Sequence, residues 1–165
     1  MENFIELYHV PFVHPETTEG QPLEGHYPVI NGGCLGAAVD VGDGRGGPAA
    51  DHLNLSSRYL TLFSSFVLGV YMPDQMGVHL NEPVGPGETR QRRAIYAIGE
   101  ASHFDDAQIE ALRELWRAVH KEDHAIVGRM PQGRASPVTD EGGVLSPHWE
   151  TSERRFQQMV LEAVR

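Results

Sequence analysis

From Ile109 to Met130 the chain places apolar side chains at steps of three and four: Ile109, Leu112, Trp116, Val119, Ile126 and Met130. That rhythm matches the 3.6-residue turn of an α-helix and draws one apolar stripe along it. A long helix with a single apolar stripe needs an apolar surface to lie on, so this feature restricts the rest of the chain more than any other. Asp105 or Asp106 stands where such a helix begins and suits an N-cap. One position breaks the stripe. Asp123 falls where the steps require an apolar residue, and a carboxylate facing the core is costly unless it is paired or binds a metal. The competing reading puts Asp123 at the edge of the stripe, meeting solvent or Arg129.

The surface for this helix lies upstream. Tyr59 to Tyr71 is rich in β-branched and aromatic residues, and its second half is nearly continuously apolar, which predicts a buried strand. Gln75 to Asn81 predicts a second strand, Pro83-Val84-Gly85-Pro86-Gly87-Glu88 a turn, and Thr89 to Ile98 the next strand of an antiparallel meander. Residues 2–9 read as a short helix that Val10-Pro11 should end, because proline lacks an amide proton and disfavours helical geometry in its predecessor. Residues 15–27 read as loop, and strand-like sequence follows them. Gly42-Asp43-Gly44-Arg45-Gly46-Gly47-Pro48 lacks the Lys-Ser/Thr ending of a phosphate loop and reads as a turn. Pro131 to Leu145 reads as a polar loop. Ser146-Pro147 then opens a last helix, with Trp149, Phe156, Met159, Val160, Ala163 and Val164 on its buried face. By propensity alone the class is α+β. At 165 residues the length fits a single domain, 1–165.

Composition removes several functions. A net charge of −10 argues against a nucleic-acid binder, which needs a basic face for the phosphate backbone. No apolar run is long enough for a membrane span. Met1-Glu2-Asn3-Phe4 has no basic stretch leading into an apolar one, so no secretory signal is read there. A cytoplasmic location fits. The one cysteine, Cys34, excludes an internal disulfide and a cysteine-held iron–sulfur cluster on this chain.

The chemistry-bearing residues form two groups. His9 and His14 are five residues apart, which on an unbroken helix sets them about 140° apart, too far for one metal. A break at Pro11 would let both rings reach one ion. On spacing alone the signal is weak, since two nearby histidines are more often unrelated. Two histidines with one carboxylate are the ligand set of the facial triad that holds non-haem Fe(II) with positions left open. Asp123 is the candidate carboxylate. His120 and His124 flank it as rival ligands, but they project from other parts of the helix.

The string Glu2-Asn3-Phe4-Ile5-Glu6-Leu7-Tyr8-His9-Val10-Pro11-Phe12-Val13-His14-Pro15 resembles the iron-binding motif of Rieske non-haem iron oxygenase α subunits, agreeing at Glu2, Asn3, Phe4, Glu6, Tyr8, His9, His14 and Pro15. Lys121-Glu122-Asp123-His124-Ala125-Ile126-Val127 resembles the family segment that carries the carboxylate ligand. Gly142-Gly143-Val144-Leu145-Ser146-Pro147, followed by a helix with Phe156, resembles the family's C-terminal end. The chain departs from the family in having no Cys-x-His…Cys-x2-His cluster motif, in Pro131 where relatives often have glutamine, and in Ser64-Ser65 where they often have Pro-Asn.

The resemblance implies a helix-grip (START-like) fold, a curved antiparallel sheet around a long helix, plus a C-terminal helix. It implies mononuclear Fe(II) on His9, His14 and Asp123. It makes Glu6 the acid that links an iron-ligand histidine to a Rieske-cluster histidine of a neighbouring subunit. The function it implies is insertion of oxygen from O2 into a small organic substrate, aromatic or quaternary ammonium. Electrons would come from a separate Rieske protein and an NAD(P)H reductase, in a trimeric assembly. The alternative is a non-catalytic ligand-binding module of the same fold.

Overall fold

The computed structural model of the protein describes residues 1–14, 25–40, 56–71, 75–99 and 103–165. The loop expected over 15–27 lies mostly outside these residues, and the glycine-rich turn expected at Gly42 to Pro48 lies wholly outside them.

One six-stranded antiparallel sheet forms the frame, with strands in chain order: β1 (His26–Asn31), β2 (Cys34–Val39), β3 (Ser57–Leu62), β4 (Phe66–Tyr71), β5 (Gln75–Gly85) and β6 (Glu88–Ala97). Tyr59 to Tyr71, expected as one strand, is a hairpin. Its strands meet as Leu62↔Phe66, with Phe63-Ser64-Ser65 as the turn. Strand propensity is high on both sides of that turn and says nothing about reversal. The turn expected from Pro83 is also shorter, because β5 continues to Gly85 with a register irregularity at Pro83/Gly85.

Strand register sorts the side chains into two faces. Leu35, Thr61, Val67, His79 and Arg93 form one row across β2–β6. Ala37, Tyr59, Gly69, Gly77 and Ile95 form the next, and Val39, Ser57, Tyr71, Gln75 and Ala97 the third. In β4 the burial alternates accordingly, with Val67, Gly69 and Tyr71 buried and their neighbours partly exposed. The helices cover this face.

The helix expected from the apolar stripe is α3 (Asp106–Val127). Asp105 caps it, accepting from the Gln108 backbone N–H at 2.9 Å while the Gln108 side chain accepts from the Asp105 N–H at 2.9 Å, a reciprocal capping box. Leu112 and Trp116 pack on Tyr71, with Tyr59, Ile95 and Val119 around them. The Trp116 indole N–H donates to Gln75 Oε1 at 2.9 Å in the core, which fixes the roll of the helix. Of the residues assigned to the same stripe, Ile126 in the last turn of α3 and Met130 beyond its end are exposed.

α5 (Thr151–Ala163) lies on the β1–β2 end. Phe156 joins Ile5 and Leu35 in a buried cluster, and the Ser152 hydroxyl donates to the Gly36 carbonyl at 2.5 Å. Only glycine fits at residue 36, since a Cβ there would lie 1.8 Å from the Tyr59 carbonyl oxygen. This last helix starts at Thr151 rather than Pro147; Ser146 instead accepts from the Trp149 N–H at 3.2 Å in a turn ahead of it. Val160 and Val164, expected on its buried face, are exposed. The segment expected as loop after Pro131 carries α4 (Met130–Arg134) and a 3-10 turn (Pro137–Glu141). Among the described residues no helix is long and apolar enough to cross a membrane.

Candidate metal centre

The N-terminal segment folds as two one-turn helices, α1 (Glu2–Ile5) and α2 (Val10–Val13), rather than one helix over 2–9. The break lies at Glu6, whose backbone is extended (φ −110°, ψ 152°), and not at Pro11. Pro11 sits in the first turn of α2, where its missing N–H costs nothing. Apolar anchors fix this path: Ile5 is buried against Leu35 and Phe156, and Leu7 and Val10 against Ala37.

His9 and His14 are the N-cap and C-cap residues of α2. Standing at opposite ends of a single turn, they escape the 140° separation of an unbroken helix. Their ring centroids are 5.4 Å apart, edge to face. α3 brings the carboxylate across. Asp123 Oδ1 is 3.0 Å from His14 Nε2 and 3.9 Å from His9 Nε2. Asn3 Nδ2 also donates to Asp123 Oδ1, at 3.1 Å. One ligand atom from each of His9, His14 and Asp123 lies within 4.8 Å of the other two, and no other group of three or more histidine, cysteine or acidic residues does so among the described residues.

Each imidazole is held from behind by its own carboxylate. Glu6, 8% exposed, contacts His9 Nδ1 through Oε1, while its Oε2 accepts from the backbone N–H of Tyr8 at 2.5 Å and of His9 at 3.2 Å. Glu122 Oε2 stands 2.7 Å from His14 Nδ1. A carboxylate on Nδ1 keeps the proton there and leaves Nε2 bare, which is how metal-binding histidines are oriented. Sequence reading singled out Glu6 but not Glu122, whose only signal was its place directly before Asp123.

Charge balance at the site follows from this packing. Burial alone would push the His14 imidazole down, but the hydrogen bonds and charges of Asp123 and Glu122 outweigh it and raise its pKa. Burial would push the Asp123 carboxyl up, but His14, Asn3 and His9 together lower it. His14 and Asp123 thus shift each other's titration through direct contact.

The rival histidines go elsewhere. His124 is exposed. His120 points at the sheet, its ring 5.3 Å from that of His79 on β5 and 5.9 Å from Trp116. Burial, then the nearby Arg93 charge, lowers His79 to about 4 and His120 to about 3, so both are neutral near pH 7. Arg129, the alternative partner for Asp123, makes no described contact with it.

The donor set fits a divalent first-row metal. Two imidazole nitrogens and one carboxylate oxygen match the facial triad, and an ion with bonds of about 2.1 Å needs neighbouring donors about 3 Å apart. The observed 3.0 and 3.9 Å separations are close to that requirement.

The comparisons agree with this architecture. The family described as ring hydroxylating alpha subunit (catalytic domain) matches residues 1–165, and the chain belongs to that family. Among solved structures it is similar to the quaternary ammonium Rieske monooxygenase CntA in complex with an inhibitor, at 16% identity and a TM-score of 0.78, covering 99% of this chain and 44% of that one. The same monooxygenase with L-carnitine matches at 14% identity and a TM-score of 0.72, over 99% and 44% of the two chains. Dicamba monooxygenase bound to 3,6-dichlorosalicylic acid matches at 15% identity and a TM-score of 0.57, over 99% and 56%. The chain therefore spans about half the length of these structures or less. The fold they share is the expected α+β helix-grip arrangement of an antiparallel sheet with helices on one face. No curated protein sequence matches.

Proposed function

We propose that this chain is the oxygen-activating part of a Rieske-type oxygenase, with a mononuclear Fe(II) held by His9, His14 and Asp123. The observation that carries the reading is the convergence of these three side chains, drawn from the two ends of a one-turn helix and from a helix more than a hundred residues away. Bound there, ferrous iron supplies a centre that activates O2 for insertion into a small organic substrate once electrons arrive.

The protein's own groups do the positioning. Glu6 and Glu122 engage Nδ1 of His9 and His14, which would leave both Nε2 atoms as the donors to a bound ion. Asn3 restrains the Asp123 carboxylate by donating to the oxygen that faces both histidines. Tyr71, Leu112 and Trp116 pack together where α3 meets the sheet and so hold the helix that carries Asp123. Electrons would come from a Rieske centre and ultimately from an NAD(P)H reductase. Glu6 is the residue that faces this delivery: its link to His9 provides the inner half of a path from a partner's cluster histidine to the metal.

The test is reduction-coupled turnover. The purified chain, loaded anaerobically with Fe(II) and supplied with a Rieske protein, reductase and NAD(P)H, should consume O2 in the presence of substrate. Asp123→Ala should not. Stoichiometric iron without O2 consumption under all such pairings would leave a ligand-binding module of the same fold as the better reading.

A further inference from the structure

Between β6 and the first half of α3 lies an open cleft of about 390 Å³, walled by Ile95, Leu112 and Trp116 and bounded by Arg93 and His120. It follows the face of α3 that leads to Asp123, and His120 at its end is one helical turn before that carboxylate, where side chains three apart are neighbours. On the sheet, Arg93 lies directly across from His79, and His79 faces His120. Arg93, His79 and His120 thus mark the end of the cleft nearest the candidate metal.

Charge distinguishes this end. Arg113 and Arg117, also on the cleft, are engaged by Glu110 and Glu114 on their own helix. Arg93 makes no ion pair with a described residue; its Nε contacts only the Gln91 side-chain oxygen. Arg93 is exposed to solvent at the cleft, and Asp123 is the acid whose charge acts on it. Once Asp123 binds a metal, that charge is committed and Arg93 is left without a counter-ion. On the neighbouring strand, Gly77, buried opposite Ile95, has no described atom within 4 Å of where a Cβ would stand. Two residues along the same strand, the fully buried Gln75 has an Nε2 with no hydrogen-bond partner.

We propose that this cleft seats a small organic acid, its carboxylate paired with Arg93 at the metal end and its apolar body against Ile95, Leu112 and Trp116. The assignment rests on the oxygenase reading and names its substrate class. A fork of guanidinium donors suits a carboxylate, and a quaternary ammonium head would meet an uncompensated cation at the same place.

Benzoate is the probe, with benzamide and benzyltrimethylammonium as neutral and cationic counterparts. Binding is followed by calorimetry and by Trp116 fluorescence in a Trp149→Phe background. Benzoate should bind about tenfold or more tightly than either counterpart and change Trp116 emission. Arg93→Ala should erase that preference, Arg93→Lys should keep part of it, and Arg90→Ala, on the same strand, should leave it intact. Benzamide or the ammonium binding as well as benzoate, benzoate preference surviving Arg93→Ala, or no binding at all would overturn the assignment. Co(II) uptake, measured in parallel, separates the two ideas. Metal bound without benzoate preference sinks the cleft assignment alone, whereas benzoate preference without metal sinks the iron reading.

Discussion

The two imidazoles of the site are steadied in different ways. His9 is held by Glu6, three residues before it, through a carboxylate that also ties down two backbone N–H groups of the same turn. His14 is held by Glu122, which arrives on α3 from 108 residues away and meets the imidazole at 2.7 Å. The first arrangement is a local fold element that happens to orient a ring; the second exists only when α3 has docked. Removing Glu6 should therefore damage both chain path and metal binding, and removing Glu122 metal binding almost alone.

The largest expected effect breaks both halves at once. Asp123→Ala removes the donor that both rings face and should abolish stoichiometric metal uptake, measured by elemental analysis after anaerobic loading. Next, Glu122→Gln should weaken metal affinity by about 10- to 100-fold, the usual cost of losing an orienting partner. Its thermal melt should stay close to that of the parent. Glu6→Ala should weaken metal affinity to a similar degree and also lower stability by about 1 kcal/mol, because two partly buried N–H groups lose their acceptor. Equal melts for the Glu6 and Glu122 variants would erase the contrast.

The smallest effect concerns the His9 side. Glu153 on α5 is pushed up from 4.5 to about 7 by burial and then by the charges of Glu2, Glu150 and Glu6. Its folded pKa exceeds its unfolded one, so the folded state holds the extra proton between these values. Stability should therefore fall as pH rises from about 4.5 to 7, and the penalty is complete above that. Glu153→Gln should flatten this slope, raising Tm relative to the parent more at pH 8 than at pH 5; a constant difference would contradict it.

Much of the frame was legible in the sequence. The steps of three and four announced α3, and of the two N-cap candidates Asp105 is the one that caps it. Asp123 was visible because it broke an apolar pattern. What could not be read was reversal and tertiary reach. Nothing in the propensities of Tyr59 to Tyr71 announced the hairpin turn after Leu62. Proline chemistry points to Pro11 for the break in the N-terminal helix, but the break lies at Glu6, where a side chain captures backbone N–H groups that a helix would have used. Glu122 carried no sign of its role, because its partner lies at the other end of the chain.

Iron content after anaerobic Fe(II) loading and desalting tests the central claim most directly. The account predicts about one Fe(II) per chain, lost in His9→Ala, His14→Ala and Asp123→Ala alike. Iron below about a tenth of an equivalent in the parent, or the same content in all four proteins, would contradict it.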